Sequence, residues 1–246
     1  MLKIEKLSKR YGGKRALDDV TVELPRGEIV GLFGENGAGK TTLMKAVLGL
    51  IPFTGAITLD GESIGRRNIE KFSFGTCEHS FIPNLTAMGH RDFYAEMFPS
   101  FSEKRFNGLM DFFELPRHRP IHTFSAGQKN QFEVIMALSQ GADYILLDEP
   151  FAGNDVFNRE DFYRVLLGIL EPHETVILST HLIEEVSDFV GRALLLRHGR
   201  LVGDASVMEL EDRGLSLMDY IKETYHYRAD RVSRALRELG GEEDEA

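Results

Sequence analysis

Gly34-Glu35-Asn36-Gly37-Ala38-Gly39-Lys40-Thr41-Thr42 follows the apolar run Ile29-Val30-Gly31-Leu32-Phe33 and leads into Leu43-Met44-Lys45-Ala46-Val47-Leu48. The order reads as strand, glycine loop, helix, the context in which G-x-x-x-x-G-K-[ST] carries chemical meaning. Gly34, Gly37 and Gly39 free the backbone for φ > 0 and for close approach to a ligand. Successive N–H groups then face inward as a nest for phosphate oxygens. The helix opening near Lys40 adds its unpaired N–H groups and its dipole. Lys40 brings a mobile positive charge for β- and γ-phosphates, and Thr41 a hydroxyl for Mg²⁺. A chance glycine turn before a helix is the competing reading, and the strand–helix context weighs against it.

Bulk composition sets the outer limits. With 246 residues, 42% hydrophobic and 28% charged, the chain reads as globular, long enough for one large α/β domain or two small lobes. One cysteine, Cys77, excludes an internal disulfide and fits a reducing compartment. The start Met1-Leu2-Lys3-Ile4-Glu5-Lys6 lacks the apolar core of a signal peptide. Apolar stretches such as Val165 to Leu170 fall far short of the ~20 residues that span a bilayer, so a membrane role has to come through a partner. A net charge of −10 argues against general nucleic-acid binding, which needs a basic footprint. Part of that charge sits in the acidic tail Glu242-Glu243-Asp244-Glu245.

Outward from the glycine loop, alternation predicts short strands over Leu2 to Leu7, Val20 to Leu24 and Ala56 to Leu59. From Phe72 to Phe113 the chain carries nine of its 17 phenylalanines, and prolines at 83, 99 and 116 break the stretch into helical pieces. This predicts a mostly helical lobe, placed at about residues 78–123, whose rings form its core or partly grip a partner. Ser125 and Gln128 have capping-box spacing and open a helix running to about Ser139. Tyr144 to Leu147 and Thr175 to Ser179 are apolar enough for buried parallel strands. Leu182 to Val190 reads as helix, and Ala193 to Arg197 and Leu201 to Gly203 as edge strands. Met218, Ile221, Tyr225, Val232, Ala235 and Leu239 recur at helical spacing, predicting a C-terminal helical extension over residues 206–246.

A second group of residues carries chemistry at strand ends, where ligands sit in open α/β sheets. Asp148 closes the run Tyr144 to Leu147 and can hold Mg²⁺ opposite Thr41. Glu149 can orient or deprotonate an attacking water. His181, after Ser179-Thr180, can hydrogen-bond a γ-phosphate or that water. The histidines at 118 and 122 have helical spacing, but Pro120 lies between them, so a zinc site is rejected.

Gly34 to Thr42, Phe124 to Gln128, Ile145 to Glu149 and Thr180-His181 occur in the order of an ABC-type ATPase, which this chain resembles over roughly residues 1–205. They correspond to Walker A, signature, Walker B and switch histidine. The resemblance implies an α/β fold of the P-loop NTPase class, with an antiparallel β subdomain, a mixed α/β core and a helical lobe. It implies ATP and Mg²⁺ as cofactors, with Gly34, Glu35, Asn36, Gly37, Ala38, Gly39, Lys40, Thr41 and Thr42 around the phosphates. It implies adenine stacked on Tyr11, and catalysis by Glu149, His181 and Lys40. Two ATPase domains would face head to tail, so that Ser125, Gly127 and Gln128 meet the partner's nucleotide and Asp155 couples the two sites. One loop and one signature per chain imply a second subunit, identical or not.

The sequence departs from the family in three places. The signature reads Phe-Ser-Ala-Gly-Gln for Leu-Ser-Gly-Gly-Gln, and Phe151-Ala152-Gly153-Asn154-Asp155 replaces Thr-Ser-Gly-Leu-Asp. The family's glutamine loop has no glutamine: Cys77 or Glu78 takes the place before Phe81-Ile82-Pro83-Asn84-Leu85-Thr86. Glu78 is the better hard-cation ligand and is expected there, with Thr41 and Asp148, on the metal. The resemblance thus implies an ATP-hydrolysing subunit of a transporter. Dimer closure would drive separate transmembrane permease subunits through the Phe-rich lobe, from the cytoplasmic face of the membrane. The Phe81 to Thr86 segment looks like bacterial exporter ATPases of drug, peptide-antibiotic or envelope-stress systems. An importer ATPase and a soluble ABC ATPase acting on ribosomes or nucleic acid are the alternatives.

Overall fold

The computed structural model describes residues 1–79, 81–150, 156–181 and 183–226. In chain order the elements are β1 (Leu2–Tyr11), β2 (Lys14–Leu24), β3 (Ile29–Phe33), α1 (Lys40–Val47), β4 (Thr54–Leu59), β5 (Glu62–Ser63), β6 (Phe72–Thr76), α2 (Ala87–Met97), α3 (Glu103–Phe112) and α4 (Ala126–Ser139). Then come β7 (Tyr144–Asp148), α5 (Val156–Ile169), β8 (Thr175–Thr180), α6 (Ile183–Val186), β9 (Arg192–Arg197), β10 (Arg200–Ser206), α7 (Val207–Asp212) and α8 (Leu217–Thr224). An antiparallel sheet has the order β2-β1-β4-β5, and a second, mixed sheet has the order β10-β9-β3-β8-β7-β6. In the second sheet all neighbours are parallel except β10 against β9.

Side-chain alternation sorts the mixed sheet into two faces. Val30, Leu32, Leu146, Ile177, Leu194 and Leu196 point to the layer where α1 packs, together with Leu2, Ile4 and Val20 of the antiparallel sheet. Ile145, Leu147, Val176, Leu178, Ala193 and Leu195 point the other way, into a core shared with α3, α4 and α5. Both faces are covered, which is why β7 and β8 are buried throughout. Tyr144 ties the layers together: its hydroxyl accepts from Leu2 N–H and donates to the Leu24 carbonyl, each at 2.9 Å. Arg26 lies over the Tyr144 ring and bridges Asp60 (2.8 Å) and Asp143 (2.9 Å). That hydrogen bond to Arg26 holds the Asp60 carboxyl well below the usual carboxylate range.

Hydroxyls cap the two helices of the helical region: Thr86 accepts from Gly89 N–H, and Ser102 from Arg105 N–H. Its rings do not form an independent core. Phe106 and Phe124 meet Phe132 of α4, and the cluster runs on into the face of the mixed sheet. Arg105 of α3 fastens this region to the rest. Its guanidinium donates to Glu174 (2.7 and 3.0 Å) and to the carbonyls of Leu138 (2.8 Å) and Ile169 (2.6 Å). At the far end of α4, the Gln140 amide donates to the Phe72 carbonyl at 2.8 Å, gripping the start of β6.

Several expectations are corrected. Phe72–Thr76 is a strand of the mixed sheet, not helix; its alternating Phe-Ser-Phe was masked by the aromatic composition around it. β9 is an interior strand, paired with β3 as well as β10; of these two expected edge strands, β10 alone lies at an edge. β1 and β2 extend much further than the apolar alternation, because a hairpin can continue as a charged ribbon through Lys9, Arg10, Lys14 and Arg15. Of the helix expected over Leu182 to Val190, the described residues form Ile183–Val186. The C-terminal extension contributes α7 and α8, whose Leu210, Leu217 and Ile221 are buried in the main core. Val232, Ala235 and Leu239 lie outside the described residues. Among those described, no helix is long and apolar enough to cross a membrane.

Candidate active site

The loop between β3 and α1 is shaped by two close approaches. Gly39, the residue before α1, has φ +112°, and a Cβ there would lie 2.5 Å from the Ala16 carbonyl oxygen. Gly34 needs no positive φ; it is glycine because a Cβ would sit 2.4 Å from the Leu196 carbonyl oxygen. Lys40 is buried and its ammonium donates to the Gly34 carbonyl at 2.7 Å, folding back over the loop. A cleft of about 280 Å³ opens here, lined by Tyr11, Lys14, Ala16, residues 35–42 and Glu149. Tyr11 is half exposed, with the Lys9 ammonium 4.8 Å from its ring centroid. A larger groove, about 450 Å³, lies beside the β1–β2 hairpin near Arg10, Arg15 and Phe53, and contains none of the predicted site residues.

The strand ends bring the second group to the same cleft. Thr41 donates to Asp148 Oδ2 at 2.6 Å. Asp148 is buried, and its other oxygen accepts from the Ser179 hydroxyl. Glu149 has φ +47°, a left-handed conformation that costs a residue with a Cβ on the order of 1 kcal/mol or more. Its N–H, donating to the carbonyl and hydroxyl of Ser179 (3.1 Å each), holds it there. The carboxylate ends between Lys40 Nζ (3.5 Å) and His181 Nδ1 (2.9 Å). The structure thus brings Lys40, Thr41, Asp148, Glu149 and His181 together from positions 141 residues apart. Ser179 was missed from sequence; the signal was a polar residue closing an otherwise apolar buried strand.

Thr41 and Asp148 offer hard oxygen donors in contact with one another, which suits Mg²⁺, an ion that keeps several of its waters. Glu78 is placed differently: both its oxygens accept from Lys45, at 2.8 and 2.7 Å. Lys45 is four residues beyond Thr41 on α1, so Glu78 stands one helical turn from the Thr41–Asp148 pair. Cys77 is exposed, and partial desolvation followed by the Asp148 charge pushes its thiol above the ordinary range.

Ser125, Gly127 and Gln128 do not line the cleft. They open α4 in a closed capping box, with Ser125 N–H on Gln128 Oε1 (3.0 Å) and Gln128 N–H on Ser125 Oγ (3.2 Å). Ser125 is exposed, and its hydroxyl, used there as an acceptor, still has a proton to donate. Asp155 lies outside the described residues.

Comparison with known proteins places the chain in a family. The sequence model of the ABC transporter family matches residues 17–152. The ABC transporter ATP-binding protein YtrB of Bacillus subtilis is 28% identical over 97% of this chain and 80% of its own length. The lantibiotic transport ATP-binding protein SrtF of Streptococcus pyogenes is 31% identical over 78% of this chain and 86% of its own. The galactofuranose transporter ATP-binding protein YtfR of Escherichia coli is also 31% identical, over 96% of this chain and 50% of its own length. Among solved structures, an ATP-binding subunit of an ABC transporter superimposes with a TM-score of 0.80 at 25% identity, over 92% of this chain and 99% of the other. The dimeric post-hydrolysis cassette MJ0796, bound to ADP and Pi, gives 0.73 at 23% identity, over 84% and 98%, a likeness of fold. The family-model match over more than half of its length and the 31% identity to SrtF show that the chain belongs to the ABC transporter family as an ATP-binding subunit.

Proposed function

We propose that the chain hydrolyses ATP as one half of a pair of ATPase subunits and drives separate transmembrane subunits. The observation that carries this is the division of the site. Lys40, Thr41 and Glu149 line one cleft, with Asp148 bonded to Thr41 and His181 to Glu149, whereas Ser125, Gly127 and Gln128 are presented elsewhere. A nucleotide held by the first group leaves its outer side open, and the start of a second chain's α4, with its free amides and positive dipole end, is suited to cover the γ-phosphate. Lys40 then turns from the Gly34 carbonyl and Glu149 toward the phosphates. Glu149, released from Lys40 and still beside His181, is placed to take a proton from water. Thr41 and Asp148 would hold Mg²⁺, which offsets the phosphate charge when bound.

A complementation experiment tests the shared site. Lys40→Ala breaks the loop and Gly127→Asp the signature, so each alone should lose ATPase activity by about 10²-fold or more. Mixed, they form dimers with one intact loop facing one intact signature, and activity should return. No recovery on mixing would rule the arrangement out.

Glu78 is proposed to swing from Lys45 to the metal when nucleotide is bound. Glu78→Ala is then expected to raise the Mg²⁺ concentration needed for half-maximal hydrolysis, and an unchanged requirement removes Glu78 from the site.

The surface that meets the transmembrane subunits is proposed to be the exposed apolar edge of the helical region. Ile82, Phe93, Met97 and Phe112 are exposed there, and Phe93 and Met97 share one face of α2. Export is the proposed direction, supported by the Phe81 to Thr86 segment and the likeness to SrtF. The likeness to YtfR supports import as the second reading. Co-purification from membranes separates the two: an importer should bring a solute-binding protein in addition to its transmembrane subunits.

A further inference from the structure

We propose that Tyr225, in the C-terminal extension, is a positioning residue for the phosphate-binding loop. The extension reaches the nucleotide site from behind. Tyr225 ends α8, and its hydroxyl lies 3.2 Å from the Phe33 carbonyl and 3.3 Å from the Leu196 carbonyl. One phenolic proton is shared between two acceptors. The acceptors stand at the ends of β3 and β9, adjacent parallel strands whose last paired residues are Phe33 and Leu195.

Both carbonyls bear directly on the loop. Phe33 is bonded to Gly34, whose own carbonyl accepts from Lys40 at 2.7 Å. Leu196 O is the atom that would lie 2.4 Å from a Cβ on Gly34. Tyr225, Leu196, Gly34 and Lys40 therefore form a continuous line of contact from the extension to the ammonium that meets the phosphates. Burial first, then the nearby Glu35 carboxylate, pushes the phenol up to about 12, so the group remains a donor at neutral pH. Glu35 itself lines the cleft.

The helix carrying Tyr225 is firmly seated. Leu217 and Ile221 are buried in the main core. The Tyr220 hydroxyl rests where a Cβ on Gly203 would come within 2.7 Å, and Arg197 donates to the Tyr225 carbonyl at 3.3 Å. Seating of α8 and occupation of the loop are then linked. Whatever loosens the helix weakens nucleotide binding, and bound nucleotide tightens the helix by the same factor.

The inference rests on residues 34–42 being the phosphate cradle, so the experiment carries a control for that reading. Calorimetric titration with MgATP compares the unsubstituted chain with Tyr225→Phe, Tyr220→Phe and Lys40→Ala. Tyr225→Phe removes one hydroxyl and is expected to raise Kd, and KM for ATP, by about 3- to 10-fold, the range for one neutral hydrogen bond. Its kcat at saturating ATP should change less than twofold, because Tyr225 touches no reacting atom. Tyr220→Phe, on the same helix but without the carbonyl contacts, should leave Kd unchanged. A lower Tm with an unchanged Kd for Tyr225→Phe would make the hydroxyl merely structural and overturn the proposal, as would an equal rise in Kd for Tyr220→Phe. Were Lys40→Ala to bind MgATP as well as the unsubstituted chain, the cradle reading itself would fail. Hydrogen exchange on the unsubstituted chain gives an answer without any variant: amides of residues 217–225 should slow when MgATP binds, and no slowing counts against the linkage.

Discussion

Glu149→Gln is expected to lower ATP turnover by about 10²-fold or more while leaving nucleotide binding intact. The substitution keeps size and hydrogen-bonding capacity but removes the only carboxylate that stands against both Lys40 and His181 among the described residues. Its backbone should not relax, because the φ of +47° is held by two contacts to Ser179 that involve the main chain alone on the Glu149 side. The loss would therefore report chemistry, not misfolding. On the proposed scheme, in which binding closes the pair and hydrolysis reopens it, the variant should accumulate as an ATP-bound dimer, visible by size-exclusion chromatography with ATP and absent with ADP. Near-normal turnover would refute the role given to Glu149. His181→Ala should also slow turnover, by less, if the imidazole serves mainly to orient the carboxylate or water.

The second large effect is on stability. Arg105→Ala is expected to cost about 3–5 kcal/mol, the range for removing one partner of a buried pair. Glu174 is only 3% exposed, and without Arg105 its charge has no other cation beside it among the described contacts. The carbonyls of Leu138 and Ile169 lose a donor in the same step. For a chain of this size the loss corresponds to a fall in Tm on the order of 10 °C. Arg105→Lys should recover only part of it, since a single ammonium cannot match a planar fork that reaches two carboxylate oxygens and two carbonyls. Urea unfolding measures both; a loss below about 1 kcal/mol for Arg105→Ala would mean that water replaces the guanidinium, as it does at exposed pairs.

The parts of this molecule legible in sequence are those specified by neighbouring residues. The glycine loop, the α4 capping box and the apolar strands ending in Asp148 and Ser179 each declare themselves within ten residues. What failed was long-range. β6 is a strand because β7 pairs with it and α4 covers it, facts absent from Phe72 to Thr76 itself. β9 seemed an edge because its partner β3 lies more than 150 residues earlier. The site followed the same rule. The glycine loop announced Lys40 and Thr41, and residue types at strand ends announced Asp148, Glu149 and His181, but not that Glu149 would lean on Lys40, that Ser179 would brace two acids, or that Glu78 would rest on Lys45. Tyr225 was legible only as one apolar position on a helix.

α4 has one more property, apparent from its two ends. Its first turn carries Ser125 to Gln128, the group proposed to meet a neighbour's nucleotide. Its last residue precedes Gln140, which clasps the start of β6, the strand that delivers Cys77 and Glu78 toward Thr41 and Asp148, the pair proposed to hold the metal. The helix is about 21 Å of rigid rod, buried along most of its length, with Gly75 of β6 packed under Ala137 and the Glu133 carbonyl. Packing along its length resists bending, so a tilt imposed at one end would be carried to the other. In a paired assembly each chain would thus sense through α4 whether the opposite site is loaded, and its own β6 would be the pointer that registers the answer.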